Sequence, residues 1–171
     1  MNTLLSFQED LSEKEVAVFV NHLAELSESE NFETVFEAAM EKIKQFPSCG
    51  FLILNTALFL DGLIAMRVRR KNREMLKETV EKLYVRAAKC PDATVCNQAK
   101  AMLVSIYMER KDYESAQKLL DTLPDEAFFD KKQIQINLLT AQGKLKAAAQ
   151  MAEEKLLEAT NEVHGVLMSF P

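Results

Sequence analysis

Cys90 and Cys96 flank Pro91 within one short segment, and with His22 and His164 they are the side chains of this chain best suited to hold a soft metal. A structural zinc site needs closer pairs and four ligands in all, and the two histidines lie far off on other predicted helices. The thiols are therefore expected to be structural, buried or half-buried, with no metal and no cofactor. Acid–base or nucleophilic chemistry has no better footing. The sequence holds no Gly-x-Ser-x-Gly, no phosphate-cradling glycine loop and no His-Glu-x-x-His. Its carboxylates sit at helix-surface spacing beside lysines, as in Glu153-Glu154-Lys155, which reads as solvation and weak i,i+4 support. No catalytic residue is assigned, and the chain is not expected to be an enzyme.

Two groups could bind rather than react. Arg67, Arg69, Arg70, Lys71 and Arg73 form the one dense cationic segment, able to hold a phosphate, an acidic peptide or a nucleic-acid backbone. The competing reading is a solvated turn whose positive charge serves the end of the preceding helix. The second group is polar and aromatic. By helical phase, Tyr84, Asn97 and Asn137 are placed as candidate groove or partner-binding residues, while Tyr107 and Tyr113 fall in core stripes.

The elements that must position these residues are helices. The chain has 171 residues, 48% apolar and 27% charged, with four Gly and four Pro, so helix breakers are rare and a real core is within reach. A net charge of −5 argues against general nucleic-acid binding. The first residues turn acidic at Glu9 and Asp10, unlike a secretory leader. The apolar run Phe51–Met66 is short for a membrane span and carries Asn55, Thr56 and Asp61. Three cysteines make no disulfide framework. A cytoplasmic protein with no membrane partner is expected.

Periodicity gives eight helices. Ser12-Glu13-Lys14-Glu15 has the pattern of a capping box and starts the first, whose apolar face is Val16, Phe19, Val20, Leu23 and Leu26. The second carries Phe32, Val35, Phe36, Ala39, Met40 and Ile43, and stops at Phe46-Pro47. The third, about Cys49 to Arg67, is apolar nearly all round and should lie between neighbours, with Gly62 allowing a close helix contact. The fourth carries Leu76, Val80, Leu83 and Ala87 and ends near Pro91; Thr94 is expected to cap the fifth. The fifth and sixth form the clearest pair: Leu103 and Tyr107, a turn at Lys111-Asp112 with Asp112 as N-cap, then Tyr113, Ala116, Leu120 and Leu123 before Pro124. A seventh helix starts after Asp130 and stops at Gly143. The eighth bears a stripe of Leu145, Ala148, Ala152, Leu156, Ala159, Val163 and Leu167, apolar to the last residue without a polar cap. Aligning the turns at Glu30–Phe32, Lys71–Arg73, Lys111–Tyr113 and Gly143–Leu145 gives intervals of about 40, about 40 and about 32 residues, within the range of helical-hairpin repeats.

The Leu103–Pro124 segment resembles the tetratricopeptide (TPR) repeat: a large residue and an aromatic, a tight turn, an aromatic, an alanine and a proline-ended helix. The resemblance implies an all-α, TPR-like right-handed solenoid of about four antiparallel hairpins, one domain over residues 1–171. Asn97-Gln98-Ala99, Met102–Arg110, Ala116–Pro124, Phe129–Gln133 and Gln142-Gly143-Lys144 are also similar to the C-terminal helical-repeat region of XRE-family helix-turn-helix transcriptional regulators, over Leu4–Phe170 and most specifically Ala99–Gly143. In that family an N-terminal module binds DNA and the repeat region regulates, through dimerisation or ligand sensing. No helix-turn-helix precedes Leu4, so no DNA-contacting residue carries over. The resemblance implies a fragment that is the regulatory part of a longer chain, with a protein, a peptide or a second copy as partner. The alternative is a free-standing TPR-like adaptor.

Overall fold

The structure, a computed structural model, describes residues 10–68, 70–125 and 130–168, with side chains described up to 161 apart from those of 70–72. The described residues form eight helices and no strand: α1 (Glu13–Ser29), α2 (Phe32–Gln45), α3 (Gly50–Arg67), α4 (Arg70–Ala87), α5 (Ala93–Glu109), α6 (Tyr113–Asp121), α7 (Lys131–Ala141) and α8 (Leu145–Met168). They fall into two compact units, residues 1–99 and 100–171, with the division inside α5.

In the first unit α3 is the central element. It packs on α1, α2 and α4, which is why nine of its residues, from Gly50 to Ile64, are buried. By length and composition α3 alone among the described helices could cross a membrane, yet half of it is buried against its neighbours. α1 contributes Val16 and Leu23, α2 contributes Val35, Ala39 and Ile43, and α4 contributes Val80, Leu83, Tyr84 and Ala87. Phe19, Val20 and Leu26 are only half-buried at the edge of this core. Phe32 and Phe36, one turn apart on α2, stack with centroids 5.7 Å apart.

Helix starts follow local chemistry. The Ser12 hydroxyl accepts from the Glu15 N–H at 3.3 Å and the Glu15 carboxylate accepts from the Ser12 N–H at 2.9 Å, so the capping box forms as expected. Asn31 caps α2 by accepting from Thr34 N–H. At α5 the cap is Asp92, whose carboxylate accepts from Val95 N–H at 3.0 Å. Thr94 lies inside the first turn, two residues past the capping position.

The close helix contact expected at Gly62 is found at another glycine of α3. Gly62 is exposed, and a methyl group there would meet nothing within 4 Å, so it makes no close helix contact. The tight approach is at Gly50, where an added Cβ would lie 2.3 Å from Cys90 Sγ and 2.8 Å from Cys90 Cβ. The Cys90 side chain, on the chain leaving α4, sits against the Gly50 backbone at the start of α3 and leaves no room for a Cβ.

The second unit is built on Ala101, Val104, Ala116, Leu120, Leu123 and Leu138, with Tyr107, Met108, Tyr113, Leu119 and Ile134 packed around them. Small residues at 101 and 116 let α5 and α6 share this core. α6 packs on α7 and α7 on α8. The α5–α6 and α7–α8 connectors are the same structure. After α5, Lys111 takes a left-handed φ of 62°, its N–H donates to Met108 O (3.0 Å), and the Asp112 N–H donates to Tyr107 O (2.9 Å). After α7, Gly143 has φ 74°, its N–H donates to Thr140 O (3.0 Å), and the Lys144 N–H donates to Leu139 O (2.9 Å). Both are Schellman C-caps, at corresponding positions of consecutive hairpins. Asp112 then caps α6 through Ser115 N–H, as expected. Asp130 caps α7 through Gln133 N–H at 2.9 Å. The Gln133 side chain does not close a box; it donates to Asn137 and accepts from Lys155.

Candidate interaction surfaces

Two concavities flank α1. On one side Glu13, Val16, Ala17, Val20 and Asn21 of α1 face Phe51 and Asn55 of α3 across a groove of about 360 Å³. Val16, Ala17, Val20 and Phe51 give it an apolar wall, and its polar groups are the Glu13 carboxylate and two amides: Asn21 is exposed, and Asn55 Nδ2 donates to Phe51 O at 2.8 Å, leaving its oxygen open to accept. On the other side Leu11, Lys14, Glu15, Val18, Phe19, His22 and Lys42 surround about 450 Å³. Here Lys42 Nζ lies 5.7 Å from the Phe19 ring and 4.9 Å from the Phe46 ring, a double cation–π contact. Val18 is 62% exposed on this side. Asn21 and Asn55 were missed by sequence reasoning as binding groups. The available signal was Asn55 itself, an amide within a largely apolar helix.

The basic segment is not an open turn. Only Val68 and residue 69 separate α3 from α4, so Arg67 ends one helix while Arg70, Lys71 and Arg73 begin the next. Arg67 Nη1 donates to Ser27 O at the end of α1. Arg73 donates from Nε to Val68 O (2.6 Å) and from Nη2 to Ala65 O (2.8 Å), satisfying free carbonyls at the α3 C-terminus. These two cations are thus committed to helix ends rather than poised for an anion. Arg69, and the side chains of Arg70 and Lys71, lie outside the described residues.

Tyr84 does not face a groove. It is fully buried among the core residues of α3 and α4, and its hydroxyl finds no hydrogen-bond partner among the described residues. Burial, with the Asp61 carboxylate adding to it, pushes the phenol well above its ordinary range. The helical phase was right and the face wrong, because α4 turns the Val80–Leu83–Tyr84–Ala87 side to α3. Asn97 is half-buried on α5, and Asn137 is exposed on α7, accepting from Gln133 Nε2 at 3.1 Å. They belong to different units. Tyr107 and Tyr113 pack against the second core.

The cysteines are all free: Cys49 is buried, Cys90 and Cys96 half-buried. Cys96 Sγ donates to Ala88 O at 3.0 Å. Among the described residues no three His, Cys, Asp or Glu side chains converge to hold a metal.

The last surface is on α8. Of the expected stripe only Ala148 is buried; Leu145 and Leu156 are 64% and 69% exposed, and Ala152 and Ala159 are exposed too. Val163 and Leu167 have side chains outside the described residues. The helix meets α7 through a different line, Ala148, Met151 and Lys155, where Lys155 Nζ pairs with Asp130 Oδ2 at 2.5 Å. This ion pair, with the Gln133 N–H, holds the Asp130 carboxyl below its usual value.

Comparison with family models, curated proteins and solved structures finds no match to this chain.

Proposed function

We propose that this chain is a TPR-like protein-interaction module, the regulatory region of a transcription regulator whose DNA contacts are made by another module. The observation that carries the interaction reading is the repeated connector. Consecutive hairpins α5–α6 and α7–α8 close with the same two hydrogen bonds around residues 111 and 143, a recurrence that supports a helical-hairpin repeat. In such arrays the first helices of successive hairpins line the binding face. α1 and α3 stand in that relation, and their shared groove offers an apolar wall with two amides and the Glu13 carboxylate, suited to an extended peptide backbone. A ligand there would favour whichever arrangement of the hairpins fits it and so shift a population. The transcriptional part rests on the resemblance in Ala99–Gly143, and net charge −5 fits a region that does not itself hold DNA. A free-standing adaptor uses the same groove without that link.

The test is selection from a random peptide library on the immobilised chain, followed by Ala17→Glu. Ala17 is exposed in the groove wall, so the substitution fills the site without touching the core. Selected peptides should lose at least about tenfold in affinity with this variant. Failure to select any peptide, or binding indifferent to Ala17→Glu, would refute the groove.

A further inference from the structure

We infer that the exposed seam of α8 pairs with the same seam of a second copy, antiparallel and in one register. Leu145, Ala149, Ala152, Leu156 and Ala159 recur at alternating spacings of four and three, the apolar pattern of a coiled-coil seam. All five are exposed. The line that packs on α7, Ala148–Met151–Lys155, lies roughly 100° around the helix from this seam. One flank of the seam is therefore filled by the chain's own α7, and the other is open.

The open flank selects the partner. It carries Lys146 and Glu153, both exposed and neither in an ion pair among the described residues. In an antiparallel pair related by a two-fold axis, equivalent flanks face each other. Placing the axis between residues 150 and 151 sets Leu145 against the second copy's Leu156 and Ala149 against its Ala152. The same register sets Lys146 against the second copy's Glu153, twice by symmetry. Sliding one heptad in one direction opposes Lys146 to Lys146; sliding the other way opposes Glu153 to Glu153. Only one of the three registers is attractive on both sides, so the surface is self-complementary in charge as well as in apolar spacing. Two leucine layers around two alanine layers make a close but small contact, which points to a dissociation constant in the micromolar range.

The inference rests on the protein-interaction reading above but fails separately from it: peptide selection probes α1 and α3, whereas self-association probes α8. The experiment is sedimentation equilibrium of the full 171-residue chain through the micromolar range, with Leu156→Glu, Lys146→Glu, Glu153→Lys and the double reversal. Wild type should be a dimer and Leu156→Glu a monomer with unchanged circular dichroism, since Leu156 is 69% exposed. Each single reversal should raise the dissociation constant about tenfold, and the double reversal should restore it. A chain that stays monomeric overturns the inference and leaves the seam to a helix of another protein or another segment. A dimer indifferent to Leu156→Glu, or a double reversal no better than the singles, overturns it as well.

Discussion

Lys111 and Gly143 occupy the same position in two copies of one connector, and exchanging their residue types should have opposite effects. Lys111 holds φ 62° with a side chain, a conformation that costs an L-residue about 1–2 kcal/mol. Lys111→Gly removes that cost and adds about 0.4–1 kcal/mol of unfolded-state freedom. The net gain should be about 0.5–1 kcal/mol, while both Schellman hydrogen bonds remain available to the backbone. Gly143→Lys should lose a similar amount, because φ 74° must now be held by a side chain; nothing lies within 4 Å of an added Cβ, so no clash confuses the result. For a chain of this size the two variants should move the thermal midpoint by about 1–4 °C in opposite directions. The double variant should return close to wild type if the two turns act independently. Circular dichroism melts at matched concentration are the assay. A Lys111→Gly variant less stable than wild type, or a neutral Gly143→Lys, would refute the equivalence of the two connectors.

The remaining expectations concern the first core and the carboxylate caps. Gly50→Ala should destabilise by about 1–3 kcal/mol, since Cβ would sit 2.8 Å from Cys90 Cβ, while Gly62→Ala should stabilise by about 0.5–1 kcal/mol at an exposed helix site; denaturant midpoints of the two variants measure the contrast. Tyr84→Phe should be neutral or stabilising by about 1 kcal/mol, because it removes a buried hydroxyl without a partner among the described residues, and a clear loss in the same assay would reveal a partner for the hydroxyl. Acid should destabilise the fold through its caps. Side-chain and backbone hydrogen bonds with Ser12 and Ser115 lower the pKa values of Glu15 and Asp112, and Lys155 with the Gln133 N–H lowers that of Asp130. Lowered folded-state values mean stability that is present above the ordinary values of 4.5 for Glu15 and 3.8 for the aspartates, and lost as pH falls through the depressed ones. Asp130→Asn keeps the cap acceptor and should flatten part of that acid limb in pH-dependent melts.

Helix number and most boundaries were legible because caps and periodicity agree: Ser12–Glu15, Asp112, Asp130 and Gly143 all act at the helix ends where the sequence places them. Buried stripes were legible where a helix has a single apolar line, as with Ala116 and Leu120 of α6, continued by Leu123. They misled where phase alone had to choose a face. Tyr84 could be polar or apolar by type, and only the packing of α4 on α3 turns it inward. α8 has two apolar lines, and the shorter one, anchored by Ala148 and by the Lys155–Asp130 ion pair, wins the contact with α7. Close approach at Gly50 was invisible because it depends on Cys90, forty residues away. The amide groove was hidden for the same reason, since Asn21 and Asn55 become neighbours only when α1 packs on α3.

The central claim, a regulatory interaction module whose DNA contacts lie elsewhere, is tested most directly by reading the natural gene upstream of the Met1 codon, over roughly the length of one small DNA-binding module. An in-frame segment encoding a helix-turn-helix is the predicted result. A stop codon and a ribosome-binding site directly upstream would contradict the regulatory assignment and leave a complete helical adaptor.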